Sequence, residues 1–220
     1  MVAQSPERNL LIFLAITFFL TLTFSSLAGA ESRPWGLSLT VGVPHPVNLA
    51  YEKVYDPDWT AAAGLGSLKL TFQNKYTIGI SNIDARVRWH PFQGAFFLGG
   101  ILGFQTLSGA ASEGIVVGPT TVPTTLSLNI TSIFLTPHLG WVWGIRNPGF
   151  FFGLELGEQL PFGASSKLNV AIDDPSLASQ LSAVQATLAY QSLLDKLQTY
   201  SNQIGLIKFP YAAIKLGWIF

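Results

Sequence analysis

The chain has 220 residues, with 12 basic and 12 acidic side chains, a formal net charge of zero, 49% apolar residues and 11% charged ones. Zero net charge removes the electrostatic case for nucleic-acid binding, and the absence of cysteine excludes disulfides, thiolate metal sites and a lipoprotein-type anchor. So few charges is dry for a water-soluble domain of this size, whereas 21 glycines and 13% aromatic residues suit many short strands.

The N-terminal stretch reads as a targeting segment. Arg8 supplies a positive start, Leu10–Phe24 an apolar run, and Ser25-Ser-Leu-Ala-Gly-Ala30 small residues where a signal peptidase cuts. This predicts a signal peptide over 1–30 and a mature domain over 31–220; the alternative is an uncleaved anchor helix, for which the run is short. No later segment reaches the roughly 18 unbroken apolar residues of a membrane helix. Ala95–Phe104 is short and contains Gly99, Gly100 and Gly103, and Trp141–Leu156 is split by Arg146-Asn-Pro-Gly149. If the mature chain enters a membrane, it does so as strands.

The first strand is expected over Leu37–Val43, ended by Pro44-His-Pro46, and the second over Val47–Val54, ended by Asp56-Pro-Asp58. Trp59–Phe72 is a third, weaker strand, in which Ala61-Ala-Ala63 equally suits a short helix, and Gln73-Asn-Lys75 is a turn. The fourth strand has the sharpest pattern. Ile83, Ala85, Val87 and Trp89 occupy one face, and Asn82, Asp84, Arg86, Arg88 and His90 the other. In a soluble sheet the charged face would meet water; in a membrane barrel it points inside.

After the tight His90-Pro-Phe-Gln-Gly94 connection, a fifth strand is expected over Ala95–Leu107 and a long loop over Ser108–Ser127. The sixth strand, Asn129–Ile145, puts Ile133, Leu135, Leu139, Trp141 and Trp143 on one face and Thr136, His138, Gly140 and Gly144 on the other. The seventh, Phe150–Leu160, sets Phe150, Phe152, Leu154 and Leu156 against Gly153, Glu155, Gly157 and Gln159. Gly94–Gln105 echoes Gly149–Gln159, aligning Gly99, Gly103 and Gln105 with Gly153, Gly157 and Gln159, as two strands with equivalent positions would. Over about 173–204 the pattern changes. Asp174 suits a cap and Pro175 a first helical position, and Leu177, Leu181, Val184 and Leu188 recur at helical spacing. A helical insert is expected there, ending near Ser201-Asn202 or Gly205.

The final strand, Phe209–Phe220, alternates again. Ala212, Ile214, Leu216, Trp218 and Phe220 share one face, and Tyr211, Ala213, Lys215 and Gly217 the other, with the apolar Ile219 near its end. This ending resembles the terminal strand of bacterial outer-membrane β-barrels, which finishes on Phe with apolar residues at steps of two before it. The resemblance implies that Ile214, Leu216, Trp218 and Phe220 form the signal read by the barrel-assembly machinery.

Together these elements predict an all-β fold: an eight-stranded antiparallel up-and-down transmembrane β-barrel with one helical extracellular insert. Short connections after strands two, four and six, and long ones after five and seven, match periplasmic turns and extracellular loops. Trp89, Trp141, Trp143, Phe150 and Phe152 then form a periplasmic aromatic girdle. The architecture is similar to the small OmpA-, OmpX- and OmpW-like barrels of the Gram-negative cell envelope, which implies contact with outer-membrane lipid. The bore of such a barrel is filled by side chains. Asp84, Arg86, Arg88, His90, His138, Glu155 and Lys215 are expected inside as an ion-pair network, because an unpaired buried charge is costly.

The expected role is structural or surface interaction, with the 173–204 helix either covering the barrel mouth or meeting a partner. One alternative is a narrow, porin-like channel for small or hydrophobic solutes; another is a secreted soluble binder. No Ser-His-acid arrangement can be assembled from His45, His90 and His138, and these isolated histidines offer no metal-ligand spacing. No catalytic, cofactor or metal residue is therefore expected.

Overall fold

The computed structural model describes residues 34–73, 75–117, 120–172, 195, 199–201 and 203–220. Eight strands run in chain order: β1 (Trp35–Val43), β2 (Asn48–Val54), β3 (Trp59–Phe72), β4 (Tyr76–Trp89), β5 (Phe96–Val117), β6 (Thr120–Trp143), β7 (Gly149–Ile172) and β8 (Phe209–Ile219). Each pairs antiparallel with its neighbour, and β8 pairs with β1 from Gly36↔Ile219 to Val43↔Ala212, closing the barrel. Closure leaves no free edge along this seam. At its base the Phe220 amide donates to the Trp35 carbonyl at 2.7 Å, and the two rings lie 4.6 Å apart.

Alternation along the strands sorts side chains by chemistry. On β1, Leu37, Leu39 and Val41 are exposed while Ser38 and Thr40 are buried. On β8, Ile214, Leu216 and Trp218 point out, and Tyr211, Ala213 and Lys215 point in. The fourth, sixth and seventh strands alternate with the same parity as their sequences suggest. Large lumen side chains fit because the paired position on the neighbouring strand carries glycine. A methyl built on Gly103 would meet the Phe134 ring and the Ile83 carbonyl, each at 2.6 Å. Phe151 lies against Gly217 and Phe97 against Gly140 in the same way.

The barrel wall is uneven. β2 reaches only seven residues, whereas β5, β6 and β7 reach 22, 24 and 24. β8 pairs with β7 only as far as Gln159↔Phe209, while β7 continues to Ile172 against β6. The tall part is also where the exterior turns polar: Ser67, Lys69, Thr131, Lys167 and Asn169 are exposed. A bulge marks the transition. Gly163, at φ +68°, is the extra residue between the Ile133↔Phe162 and Ser132↔Ala164 pairs. Only glycine takes that backbone without strain.

The structure corrects the expected loop over Ser108–Ser127. These residues extend β5 and β6 into one ladder reaching Val117↔Thr120. Their Ser, Thr and Gly content reads as loop, yet β-branched residues in a paired ladder are good strand formers. Pro123 pairs with Gly114 on β5 and lies past the last described β6–β7 pair, Thr124↔Ile172. The connection after β5 is therefore short, and the extra length on that side lies in strands β5–β7 and in the connection between Ile172 and Phe209. Most of the helix expected over 173–204 lies outside the described residues. Its described end, Asp195, Thr199–Ser201 and Gln203–Ile204, is helical, and the Gly205 amide donates to the Ser201 carbonyl at 2.9 Å.

Candidate functional site: a charged lumen

Among the described residues, six carboxylate, guanidinium and ammonium side chains are buried inside the barrel: Glu52, Asp84 and Glu155 against Arg86, Arg88 and Lys215. They form two groups. In the first, Arg88 Nη1 donates to Glu52 at 2.9 Å and Nη2 to Glu155 at 3.1 Å. Lys215 Nζ reaches the same two carboxylates at 3.0 and 3.1 Å. Two carboxylates and two cations thus alternate in a ring drawn from β2, β4, β7 and β8. Ser38 Oγ adds a bond to Glu52 at 2.7 Å and Tyr211 Oη one to Glu155 at 2.8 Å.

The second group centres on Asp84 and Arg86, two residues apart on β4. Arg86 Nε and Nη2 donate to the two Asp84 oxygens at 2.6 and 3.2 Å. Asn48 and Asn82 amides donate to Asp84 Oδ2 at 2.9 and 2.7 Å, and Arg86 Nη2 reaches Asn48 Oδ1 at 2.8 Å. Three negative and three positive charges leave the bore balanced, the condition under which buried ions are tolerable.

An apolar layer closes the end nearer the termini. Val54, Phe97, Val142, Ile145, Phe151 and Ile219 pack together there, and Arg88 lies over the Phe97 ring at 5.4 Å. Below it, the Arg146 guanidinium donates to the carbonyls of Pro57 and Gln93, tying three turns together. At the opposite end the Pro44-His45-Pro46 turn folds over the bore. His45 is 5% exposed, its Nε2 lies 3.3 Å from Gln105 Oε1, and its ring rests on Phe134. Burial pushes the His45 pKa down, against the pull of Asp84. His90, in the β4–β5 turn, is also pushed down by burial, with Arg146 and Arg88 adding to the effect.

Asp84, Arg86, Arg88, His138, Glu155 and Lys215 all lie in the bore, and so does His90 at its lower edge. His138 stands apart from the ion pairs: its Nε2 is 3.9 Å from Glu155, too far for a hydrogen bond. Glu52, Ser38 and Asn48 are the members that sequence reasoning missed. The echo between β5 and β7 has a physical counterpart: Gln105 and Gln159 meet inside, Nε2 of Gln159 donating to Oε1 of Gln105 at 2.7 Å.

On the outside, every strand contributes an aromatic residue near the end that holds the termini. Trp59 stacks with Trp89 at 6.5 Å, Phe96 meets Trp141 at 5.7 Å, and Trp143 meets Phe152 at 5.7 Å. Phe150 and Trp218 are exposed on the same rim, and Trp35 with Tyr51 complete it. The fold and its bore define a closed, eight-stranded barrel with an ionic interior and an apolar exterior.

No protein-family model and no curated protein matches the chain. Among solved structures it is similar to Acinetobacter baumannii CarO, at a TM-score of 0.41 and 11% identity, covering 87% of this chain and all of that one. Acinetobacter baumannii CarO2 matches at a TM-score of 0.37 and 10% identity over the same 87%. Likeness this loose transfers no function.

Proposed function

We propose that the chain is an integral β-barrel of a bacterial outer membrane, sealed along its bore, and that it serves as a surface structure rather than a conduit. Support for the membrane comes from the exterior. Leu39, Leu102, Leu135, Leu156 and Leu216 are exposed around the barrel while six charges are interior, the reverse of a water-soluble sheet. Acyl chains suit such a surface, and a closed barrel satisfies every backbone group without water. The aromatic rim then lies at the periplasmic interface and the tall β5–β7 wall projects outside the cell. The 1–30 segment directs export, Ile214, Leu216, Trp218 and Phe220 serve the assembly machinery, and the 173–204 segment offers a surface to partners.

The single observation that carries the sealed reading is the pair of cations, Arg88 and Lys215, each bridging Glu52 and Glu155 across the bore above an apolar layer. Opening a path would break several buried ion pairs at once. Purified mature protein added to planar bilayers is expected to insert without current steps. Regular single-channel steps would reject the seal in favour of a narrow channel, and a mature protein soluble without detergent would reject the membrane itself.

A further inference from the structure

Of the six enclosed side-chain polar atoms without a hydrogen-bond partner among the described residues, three belong to facing positions on β6 and β7: Thr136 Oγ1, His138 Nε2 and Gln159 Oε1. Their residues are 0%, 6% and 0% exposed. They lie together. Thr136 and His138 follow one another on the inner face of β6, and Gln159 sits on β7 between the Leu135↔Leu160 and His138↔Gly157 pairs, opposite Thr136. Side chains facing each other across adjacent strands start about 5 Å apart. Folded proteins rarely leave such a group of atoms dehydrated.

The hydrogen-bond roles of all three follow from their neighbours. His138 Nδ1 lies 3.2 Å from the Thr136 carbonyl, which only accepts, so Nδ1 carries the proton and Nε2 presents a lone pair. Gln159 spends its amide on Gln105, leaving Oε1 as an acceptor. Thr136 Oγ1 supplies a hydroxyl proton. Two acceptors and one donor complement a water molecule, which gives two hydrogens and receives one. Glu155 Oε2, 3.9 Å from His138 Nε2, is an acceptor beside the site and offers that nitrogen no proton. The His138 side chain is closely packed: a methyl on Gly99 would meet its ring Cε1, and one on Gly157 its Cβ, each at 2.8 Å.

We infer that Thr136, His138 and Gln159 form an internal site that holds one water molecule between the charged ring and the His45 turn. A small cation with the same donors fits less well. The bore already matches three carboxylates with three cations, and Arg88 and Lys215 both bond Glu155 beside the site. The inference concerns the interior alone and holds whatever solvent surrounds the barrel.

The test combines magnetisation transfer from water in the labelled, folded full chain with the Thr136→Val and Thr136→Ser variants. Transfer from a long-lived water to the Thr136 methyl and the His138 ring is expected. Thr136→Val should weaken it and lower the unfolding midpoint in detergent, and Thr136→Ser should retain both. Absence of transfer, or a Thr136→Val midpoint above that of the parent, would mean a dry site and overturn the inference. A saturable change in the His138 ring signals on adding ammonium would assign the site to a cation and overturn it equally.

Discussion

At the scale of single residues, stability rests on buried charges that share their few partners. Glu155 accepts from Arg88, Lys215 and Tyr211 and is fully buried. Replacing it by leucine would leave Arg88 and Lys215 with only Glu52 between them. The expected loss is about 3–5 kcal/mol, the usual cost of orphaning a buried ion. Urea unfolding of Glu155→Leu from detergent micelles measures it, and an unchanged midpoint would show that the ring is not paired as described. Much of this interior was legible. In β4, strict alternation puts Asp84, Arg86 and Arg88 on one face, so locating one of them locates all three. Glu52 was not legible, because β2 carries Glu52 on one face and Lys53 on the other. A seven-residue strand with a charge on each side does not announce which side is inside.

Elements were readable where the two faces meet different surroundings and hidden where they do not. β4, β8 and the lower parts of β6 and β7 separate apolar from polar, and the period of two exposes them. Above the Gly163 bulge both faces become mixed, so 108–127 looked like a loop although the ladder continues through it. Pairing to a neighbour holds that region, and pairing is invisible in one strand alone. Packing between elements adds a second constraint, the fit of lumen rings against glycine. Gly103→Ala is expected to cost about 1–3 kcal/mol by overpacking, because its methyl would meet both Phe134 and the Ile83 carbonyl. Thermal unfolding in detergent checks this. Adding Phe134→Leu should recover part of the loss, since one of the two clashes is with a side chain.

Taken as a whole, the molecule is a barrel turned inside out, and its exterior decides what surrounds it. Leu102 is 54% exposed in the apolar lower half of β5, between Ala85 and Leu135. In a bilayer Leu102→Lys should cost about 2–4 kcal/mol, as charges near the midplane of lipid-facing strands do. On a water-exposed surface the same change would stay within about 0.5 kcal/mol. Equilibrium folding into lipid vesicles separates these outcomes. The sequence by itself determined the strand rhythm, the side on which Arg86, Arg88, Glu155 and Lys215 lie, and the apolar character of the opposite side, because each is a local property of residues two apart. The tertiary structure alone decided that Arg88 and Lys215 share Glu52 and Glu155, that His45 folds over the bore, and that the wall stands tall at β5–β7. Those features depend on which strands face each other across a closed cylinder. Residues such as Glu52 and Lys215, 163 positions apart, meet only after the last strand has joined the first.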